Sequence, residues 1–274
     1  MNAFSGGLNL NAGKLRLGNA GALGSGSLVV GGAAELDTSS ALAVANNVLL
    51  SVPGSELTLD GSNDLTLNGV VSGDGRLIKN GFARLALNGA NTFVGGLTVN
   101  SGDLSLGNAL ALGGGQLSIT GATQLTSTRA LTLGNDIDVS GTLSVAGNND
   151  LTLNGVLSGN GTLNKNGLNN LTLGGNNTFA GILNILSGTL STASSGALGN
   201  PAQINLGNGA YLNLGGSLAL GNLSGAGDVE VQSGNTLTVS SGTFAGDLSG
   251  SGILDKTGSC LLYTSDAADE EDSG

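Results

Sequence analysis

The sequence LTLNGVVSGDGRLIKNG at residues 65–81 returns as LTLNGVLSGNGTLNKNG at residues 151–167, 86 positions later. The match continues from LALNGANTFVGG at 85–96 to LTLGGNNTFAGI at 171–182. An internal repeat of this length is typical of a solenoid, in which one structural unit is stacked on the next many times.

Partial copies extend the repeat to most of the chain. Residues 6–24 align with residues 95–113 at a shift of 89, and fainter copies of the SG-x-G segment lie at 223–229 and 248–258. The repeat therefore reaches from near the first residue to Gly258. It predicts one continuous architecture and not several different domains.

Inside the unit, apolar residues come in pairs of the form L-x-L, with small polar residues between them. This period of two predicts short strands with one face buried, and helical spacing is not sustained. Successive pairs lie 20, 19 and 21 residues apart in the first copy and 20, 19 and 22 in the second. Their first members are Leu65, Leu85, Leu104 and Leu125, then Leu151, Leu171, Leu190 and Leu212. The spacing predicts a rung of about 20 residues, with four rungs in each unit of 86–89 residues.

Composition supports a chain of short strands joined by tight corners. The sequence has 51 Gly and 2 Pro in 274 residues, 39% hydrophobic residues and 10% charged residues. Disordered chains show the opposite balance of charge and hydrophobicity, and collagen needs Gly at every third position. Gly and Asn tolerate the positive φ that corners require. The predicted fold class is therefore all-β, a parallel β-solenoid.

The charge argues against several classes of partner. Of 19 acidic residues, five lie in the last nine positions, and residues 1–259 carry 8 basic and 14 acidic residues, a net charge of −6. Binding to nucleic acid needs clustered Lys and Arg, which this chain lacks. No stretch reaches the roughly 18 apolar residues of a membrane helix. We expect neither a nucleic-acid partner nor membrane insertion by this segment.

The repeated pattern G-x-G-x-L-x-K-x-G-x-x-x-L-x-L-x-G-x-N-T-F-x-G resembles the strand repeat of bacterial autotransporter passengers, which use type V secretion. In the first copy it comprises Gly73, Gly75, Leu77, Lys79, Gly81, Leu85, Leu87, Gly89, Asn91, Thr92, Phe93 and Gly95. In the second copy it comprises Gly159, Gly161, Leu163, Lys165, Gly167, Leu171, Leu173, Gly175, Asn177, Thr178, Phe179 and Gly181. The resemblance implies a right-handed parallel β-helix at the surface of a Gram-negative bacterium, or released from it. It also implies a C-terminal outer-membrane barrel of the same protein as partner.

The two ends of the sequence depart from the repeat. Phe4 aligns with Phe93, so the sequence starts inside a unit and we expect it to be a fragment. After Ser259 the repeat stops, and CLLYTSDAADEEDSG follows. Its first part is similar to a translated sequencing-library adaptor, and the alternative is a genuine acidic tail. We predict a β-helical passenger fragment over 1–259 and a non-native or disordered tail over 260–274.

The residue types needed for metal, cofactor or nucleophilic chemistry are scarce. The chain has no His, and its one Cys is Cys260 in the predicted tail. Zinc, copper and haem ligation and His-dependent relays are therefore not expected. A calcium-binding repeat is not expected either, because Asp74 becomes Asn160 in the next copy. The sequence predicts no catalytic, cofactor-binding or metal-binding residues and no cofactor.

Some parallel β-helices act on polysaccharides, so the carboxylates are the remaining catalytic candidates. Asp136 and Asp138 flank Ile137 on a predicted strand and would both point outward. Asp64 and Asp150 hold the same repeat position just before a strand, which favours a structural role at a corner. A pair of acids close in space would be needed for glycoside hydrolysis.

Two other residue types recur with the repeat. Lys79, Lys165 and Lys256 are equivalent, and we expect isolated surface charges about four rungs apart. The Phe residues of the N-T-F element are expected to pack in the interior or at corners. They are Phe4, Phe93, Phe179 and Phe244.

The sequence favours a structural function without catalysis: a stalk or an adhesin, with ligands on host or bacterial surfaces as candidate partners. The first alternative is a carbohydrate-active enzyme, lyase-like or hydrolase-like, which would need carboxylates beside a groove. The second alternative is a rigid spacer for a functional domain elsewhere in the protein.

Overall fold

A computed structural model describes residues 2–258, together with the backbone of Leu261–Leu262. The described residues form parallel strands stacked as a β-solenoid of about 12 rungs, with about 20 residues per rung and no helix. This confirms the predicted fold class. Most of the predicted tail, residues 260 and 263–274, lies outside the described residues, so its nature stays a prediction.

Each rung visits three sides of the rod, which we call faces 1, 2 and 3 in chain order. Face 3 is one sheet of twelve strands. Its strands are Leu42–Val44, Leu65–Leu67, Leu85–Leu87, Leu104–Leu106, Ala122–Ser127, Thr142–Val145, Thr162–Lys165, Ile182–Ile185, Gln203–Leu206, Leu223–Gly225, Thr243–Phe244 and Leu261–Leu262.

Faces 1 and 2 each consist of two sheets separated by a gap of two rungs. Face 1 contains Leu8–Leu10, Leu28–Val30, Val48–Leu50 and Val71–Gly73, then Leu131–Leu133, Leu151–Leu153, Asn170–Leu173, Gly188–Thr192, Ala210–Leu214, Asp228–Val231 and Leu248–Gly250. Face 2 contains Gly13–Leu17, Ala33–Thr38, Glu56–Leu59, Arg76–Lys79, Leu97–Val99, Leu117–Ile119, Ile137–Val139 and Leu157–Ser158, then Leu218–Leu220, Thr236–Val239 and Ile253–Lys256.

The strand registers reproduce the predicted spacing. Leu65 pairs with Leu85, Leu85 with Leu104 and Leu104 with Leu125 on face 3. On face 1 the second series pairs in the same way, from Leu151 through Leu171 and Leu190 to Leu212. Apolar residues of the same column therefore stack directly on one another, and each inward side chain is covered by the next rung.

The interior is a single apolar column of Leu, Val, Ile and Phe side chains. Leu67, Leu87 and Leu106 on face 3 are at most 1% exposed. On face 3 the outward positions alternate with them and carry Thr, Ser, Asn, Gln, Ala or Ile. A strand of three residues has little stability by itself, so the stacking of neighbouring rungs stabilises the fold.

The two gaps coincide with the N-T-F elements. On face 1, Asn91 replaces a strand: its Oδ1 accepts from the Val71 N–H at 2.8 Å, and its Nδ2 donates to the Ala111 carbonyl at 2.6 Å. On face 2, Asn177 occupies the same place between the Leu157 N–H and the Ala197 carbonyl. One amide thus bonds the rung below and the rung above where the ladder is missing.

Equivalent residues of the two copies lie on different faces. Leu65–Leu67 belongs to face 3 and its equivalent Leu151–Leu153 to face 1, whereas Arg76–Lys79 belongs to face 2 and Thr162–Lys165 to face 3. A shift of 86 residues is four rungs of about 20 plus one further face. The predicted four-rung unit is therefore refined to about four and a third rungs, and the repeat rotates around the rod by one face.

The Phe residues show the same rotation. Phe93 lies in the gap of face 1, Phe179 in the gap of face 2, and Phe244 on the face 3 strand Thr243–Phe244. All three are at most 1% exposed, which confirms the predicted interior packing. Phe4, in the first rung, is 38% exposed because no described rung covers it from below.

Candidate functional site

The repeated lysines do not lie on the surface, and this prediction is wrong for two of the three. Lys79 is 2% exposed and Lys165 is fully buried, whereas Lys256 is exposed. Each buried lysine is the last residue of a strand, at an inward position of the alternating pattern. Its aliphatic stem continues the apolar column, and its ammonium group reaches the corner that follows.

Backbone carbonyls surround the ammonium group at each of these lysine corners. Lys79 Nζ donates to the Gly81 carbonyl and, at 3.1 Å, to the Ser101 carbonyl of the next rung. Lys165 Nζ donates to the Gly167 carbonyl at 2.5 Å and to the Ser187 carbonyl at 3.2 Å. The lysine thus ties its own corner to the corner above, and burial of a charged group is offset by charge-assisted hydrogen bonds.

The glycine of the SG-x-L element follows from this arrangement. Gly102 and Gly188 both have positive φ, +80° and +68°. A Cβ atom at Gly102 would lie 2.6 Å from Lys79 Nζ, and one at Gly188 would lie 2.8 Å from Lys165 Nζ. The Gly81 and Gly167 carbonyl oxygens would lie closer still, at 2.4 and 2.3 Å, so the backbone of the rung below and the buried lysine both exclude a side chain here.

Burial sets the protonation equilibrium of the two lysines. It lowers the pKa of Lys165 to about 8, and the nearby Asp150 carboxylate offsets this only in part. Burial also lowers the pKa of Lys79, against the opposing attraction of Asp103, Asp64 and Asp60. A lowered pKa favours the neutral amine, which is a nucleophile, but carbonyl oxygens are the groups that meet each Nζ, and they offer it no reaction.

The first lysine corner contains a small cavity. Ala83 lines it, and the rung beneath is long, because Leu36 pairs with Leu59, 23 residues on. In the second copy Asn169 replaces Ala83, is 4% exposed, and donates from Nδ2 to the Asn149 carbonyl at 2.8 Å. The cavity has room for about one water molecule.

The candidate carboxylates form hydrogen bonds between rungs. Asp64 Oδ1 accepts from the Arg84 N–H at 3.0 Å, and Asp150 Oδ1 accepts from the Asn170 N–H at 2.8 Å. These bonds confirm the predicted structural role of this repeat position. Asp136 Oδ1 accepts from the backbone N–H of the next rung in the same way, at 2.8 Å.

The second member of the Asp136/Asp138 pair points outward and accepts from Ser158 Oγ at 3.2 Å. Both acids thus accept a hydrogen bond from the next rung. Within residues 2–258 no group of three or more acidic or sulfur side chains is placed to hold a metal ion. No helix in the described part of the chain could cross a membrane.

The charged surface is concentrated on face 2 of the first rungs. Arg76 Nε donates to Glu56 Oε2 at 2.8 Å, and Arg16 Nε lies 3.5 Å from Asp37 Oδ2. Each pair joins neighbouring rungs through outward positions of the same column. Pairs this exposed contribute at most about 1 kcal/mol each to the free energy of unfolding, so their main effect is on the charge of the surface.

The longest ordered polar row lies on the upper half of face 3, and sequence reasoning missed it. Asn205 Nδ2 donates to Asn184 Oδ1 at 2.7 Å, and Asn184 Nδ2 donates to Asn164 Oδ1 at 2.8 Å. Asn164 Nδ2 then donates to Ser144 Oγ at 3.3 Å. The signal was present as polar residues spaced 20, 20 and 21 apart, but only the register shows that they share one column.

A family model described as passenger-associated-transport-repeat matches the chain twice, at residues 77–106 and 163–191. Each match begins on the strand that ends in a buried lysine and includes the Asn–Phe element and the SG-x-L element. No curated protein and no solved structure matches the chain. The repeat matches and the β-solenoid are together consistent with an autotransporter passenger domain.

Proposed function

We propose that the chain is part of a passenger displayed on, or released from, the surface of a Gram-negative bacterium, where it acts as a rigid stalk or an adhesive surface without catalysis. The observation that carries this proposal is the coupling of the passenger repeat to the rod's own construction. The lysines, asparagines and phenylalanines that recur in the repeat bond or pack from rung to rung.

Stiffness follows from this construction. Every rung is bonded to the next on two or three faces, and the gaps in faces 1 and 2 are bridged by Asn91 and Asn177. At ~4.8 Å per rung, about 12 rungs extend ~60 Å from one end to the other. A rod of this kind can hold a ligand-binding surface away from the membrane in which its barrel partner sits.

The carbohydrate-active alternative receives less support. Asp64, Asp136 and Asp150 are engaged with backbone N–H groups of the next rung. A general acid needs a pKa raised by burial or by a second acid. These carboxylates are partly or fully exposed and precede strands of three different faces, so they lie at different corners and do not form such a pair.

Surface display tests the proposal directly. Residues 1–258 would be placed between a secretion signal and an outer-membrane barrel translocator and expressed in a Gram-negative host. We expect the rod to become accessible to external protease and antibody on intact cells. Retention of the rod in the periplasm, in cells whose barrel is inserted correctly, would contradict the proposal.

Catalysis is tested with the same displayed rod. Cells would be incubated with neutral and acidic polysaccharides, and new reducing ends and unsaturated uronates would be measured. We expect neither above the level of cells that display the barrel alone. Product formation that disappears in an Asp136→Asn variant would instead establish the enzyme alternative.

A further inference from the structure

The amide row on face 3 is fixed before any ligand arrives. Ser144, Asn164, Asn184 and Asn205 occupy successive partner positions in the sheet, and their side chains form one directional chain of hydrogen bonds. Gln203 adds a further link by donating from Nε2 to Asn205 Oδ1 at 2.6 Å. The inward residues between them are buried, so the row stands on a packed core.

Counting donors and acceptors shows what the row leaves free. An amide has two N–H donors and an oxygen with two lone pairs. Asn164 and Asn184 each use one donor and one lone pair along the row, and both side chains are partly exposed. Asn164 and Asn184 therefore each keep one N–H donor and one acceptor lone pair that the row does not use, on neighbouring rungs ~4.8 Å apart. Because these side chains are already ordered, binding of a ligand would cost the protein little side-chain conformational entropy.

The adjoining column determines the charge of the surface. It consists of Thr142, Thr162, Ile182 and Gln203, which pair in register next to the amide row. Neither column contains a charged residue, whereas face 2 near the start of the rod carries ion pairs. Residues 1–259 carry a net charge of −6, which disfavours polyanions.

We propose that face 3 between Ser144 and Asn205 binds an extended, uncharged polysaccharide that lies along the rod axis. A chain of sugar units offers hydroxyl groups that both donate and accept and that recur at short intervals, as the free amide groups do. The proposal rests on the proposed function, since it supplies the ligand class for the adhesive surface. Each contact is weak, and several rungs acting together give the affinity.

Affinity electrophoresis of the full chain tests the proposal, with native gels that contain hydroxyethyl cellulose or a neutral galactomannan. We expect at least one of these to retard the wild-type chain, and anionic carboxymethyl cellulose to retard it much less. Lack of retardation by both neutral polymers, or stronger retardation by the anionic one, would overturn the proposal.

Two matched substitutions place the surface on one face. Thr162→Lys puts a long charged side chain beside the amide row, and Thr152→Lys puts the same side chain in the Thr column of face 1. We expect Thr162→Lys to weaken retention at least tenfold and Thr152→Lys to leave it unchanged. Equal retention by the two variants, or equal loss, would contradict a site on face 3.

Interruption of the row itself is the second test. Asn184→Leu removes the central link, and we expect retention to fall at least tenfold while far-ultraviolet circular dichroism still shows the wild-type solenoid. Wild-type retention by this variant would overturn the role of the row. A rod that is displayed on cells but not retained by any neutral polymer would contradict only the polysaccharide proposal and leave the stalk function supported.

Discussion

The two full copies of the repeat have nearly the same sequence but face different directions. Lys79 ends a strand of face 2 and Lys165 ends a strand of face 3. Both ammonium groups nevertheless donate to equivalent carbonyls, one in their own corner and one in the corner of the next rung. The three faces thus offer equivalent environments to the repeat. Equivalent residues of the two copies make the same contacts between rungs. The face on which each copy lies follows from the repeat length of 86 residues, about four and a third rungs.

The copies differ most at the corner after the lysine. Asn169 fills the second corner and bonds the rung below, whereas Ala83 leaves a cavity in the first. The rung below the first corner is also longer, with Leu42 paired to Leu65, 23 residues on. Corners therefore tolerate changes in length and side chain that the inward columns do not.

The largest effect is expected when the buried Phe of either copy is removed. Phe93→Ala and Phe179→Ala each delete a fully covered ring from the apolar column. Each is expected to lower the free energy of unfolding by about 3–5 kcal/mol. Urea unfolding followed by circular dichroism measures both variants.

Equal losses for the two Phe variants would support equivalent copies. Phe4→Ala serves as the control, because this ring is exposed in the first rung and its removal is expected to cost much less. A loss at Phe179 less than half of that at Phe93 would show that the two gaps are packed differently and would break the comparison.

A smaller effect is expected at the amides that bridge the gaps. Asn91→Ala leaves the buried Val71 N–H and the Ala111 carbonyl without partners, and Asn177→Ala does the same in the second copy. Each variant is expected to lose about 2–3 kcal/mol, since an unpaired buried polar group costs about 1–3 kcal/mol. Hydrogen exchange of the Val71 amide would report the opening of the first gap locally.

Asn88→Ala is the matched control for these amides. Asn88 belongs to an exposed ladder, where its Nδ2 donates to Asn68 Oδ1 at 2.8 Å. Its removal is expected to cost less than about 0.5 kcal/mol, as for most surface substitutions. A cost at Asn88 as large as that at Asn91 would mean that the ladders in general, and not the gap bridges, stabilise the rod.

Sequence alone predicts what depends on periodicity. The L-x-L pairs predict the strands, and the intervals from Leu65 to Leu125 predict the registers on face 3 that the structure shows. Both follow because inward positions must be apolar and like residues stack. The buried Phe residues follow for the same reason, since large apolar side chains that recur at the same repeat position are expected to be buried in the interior.

The features that the sequence did not predict depend on which residues of neighbouring rungs lie next to one another in space. Lys79 and Lys165 hold inward positions, but a charged residue is predicted to be exposed because burial needs partners. The backbone carbonyls that bond each ammonium group are known only from the structure. Four rungs of about 20 residues leave about six residues of the 86-residue repeat. Only the strand pairing shows that these residues carry the next copy to the following face, from Leu65–Leu67 on face 3 to Leu151–Leu153 on face 1.

The pH dependence of stability can distinguish the two lysine corners. Lys165 has a pKa of about 8 in the folded chain, below its usual value. The unfolded chain therefore holds more protons above pH 8, and stability is expected to rise between pH 8 and 9.5, by less than about 1.4 kcal/mol per pH unit. Below pH 8 both states are protonated and the dependence flattens. Urea unfolding at half-unit pH steps measures it.

Lysine variants assign the rise to a corner. Lys165→Met is expected to remove the larger part of it, because the neutral thioether needs no proton to be lost. Lys79→Met is expected to remove a smaller part, since burial lowers the pKa of Lys79 against three nearby carboxylates. Lys256→Met, at an exposed position, is expected to leave the rise intact. A flat profile in the wild type would show that both ammonium groups stay protonated through this range.

The smallest effect concerns the cavity that separates the copies. Asn149 and Asn63 are equivalent, and each donates from Nδ2 to a carbonyl of the rung below at 2.8 Å. An amide introduced by Ala83→Asn should then donate to the Asn63 carbonyl, as Asn169 does to that of Asn149. One net hydrogen bond contributes about 0.5–1.5 kcal/mol, but the Oδ1 of Asn169 is buried without a partner, which offsets part of the gain.

We therefore expect Ala83→Asn to stabilise the chain by less than about 1 kcal/mol and Asn169→Ala to destabilise it by about 1 kcal/mol, both measured by urea unfolding at pH 7. Opposite signs would show that the two corners have the same shape and differ only in how they are filled. Destabilisation by Ala83→Asn would show instead that the 23-residue rung below has widened the first corner, so that the introduced amide misses its carbonyl. The cavity would then result from rung length, and the equivalence of the copies would end at the lysine.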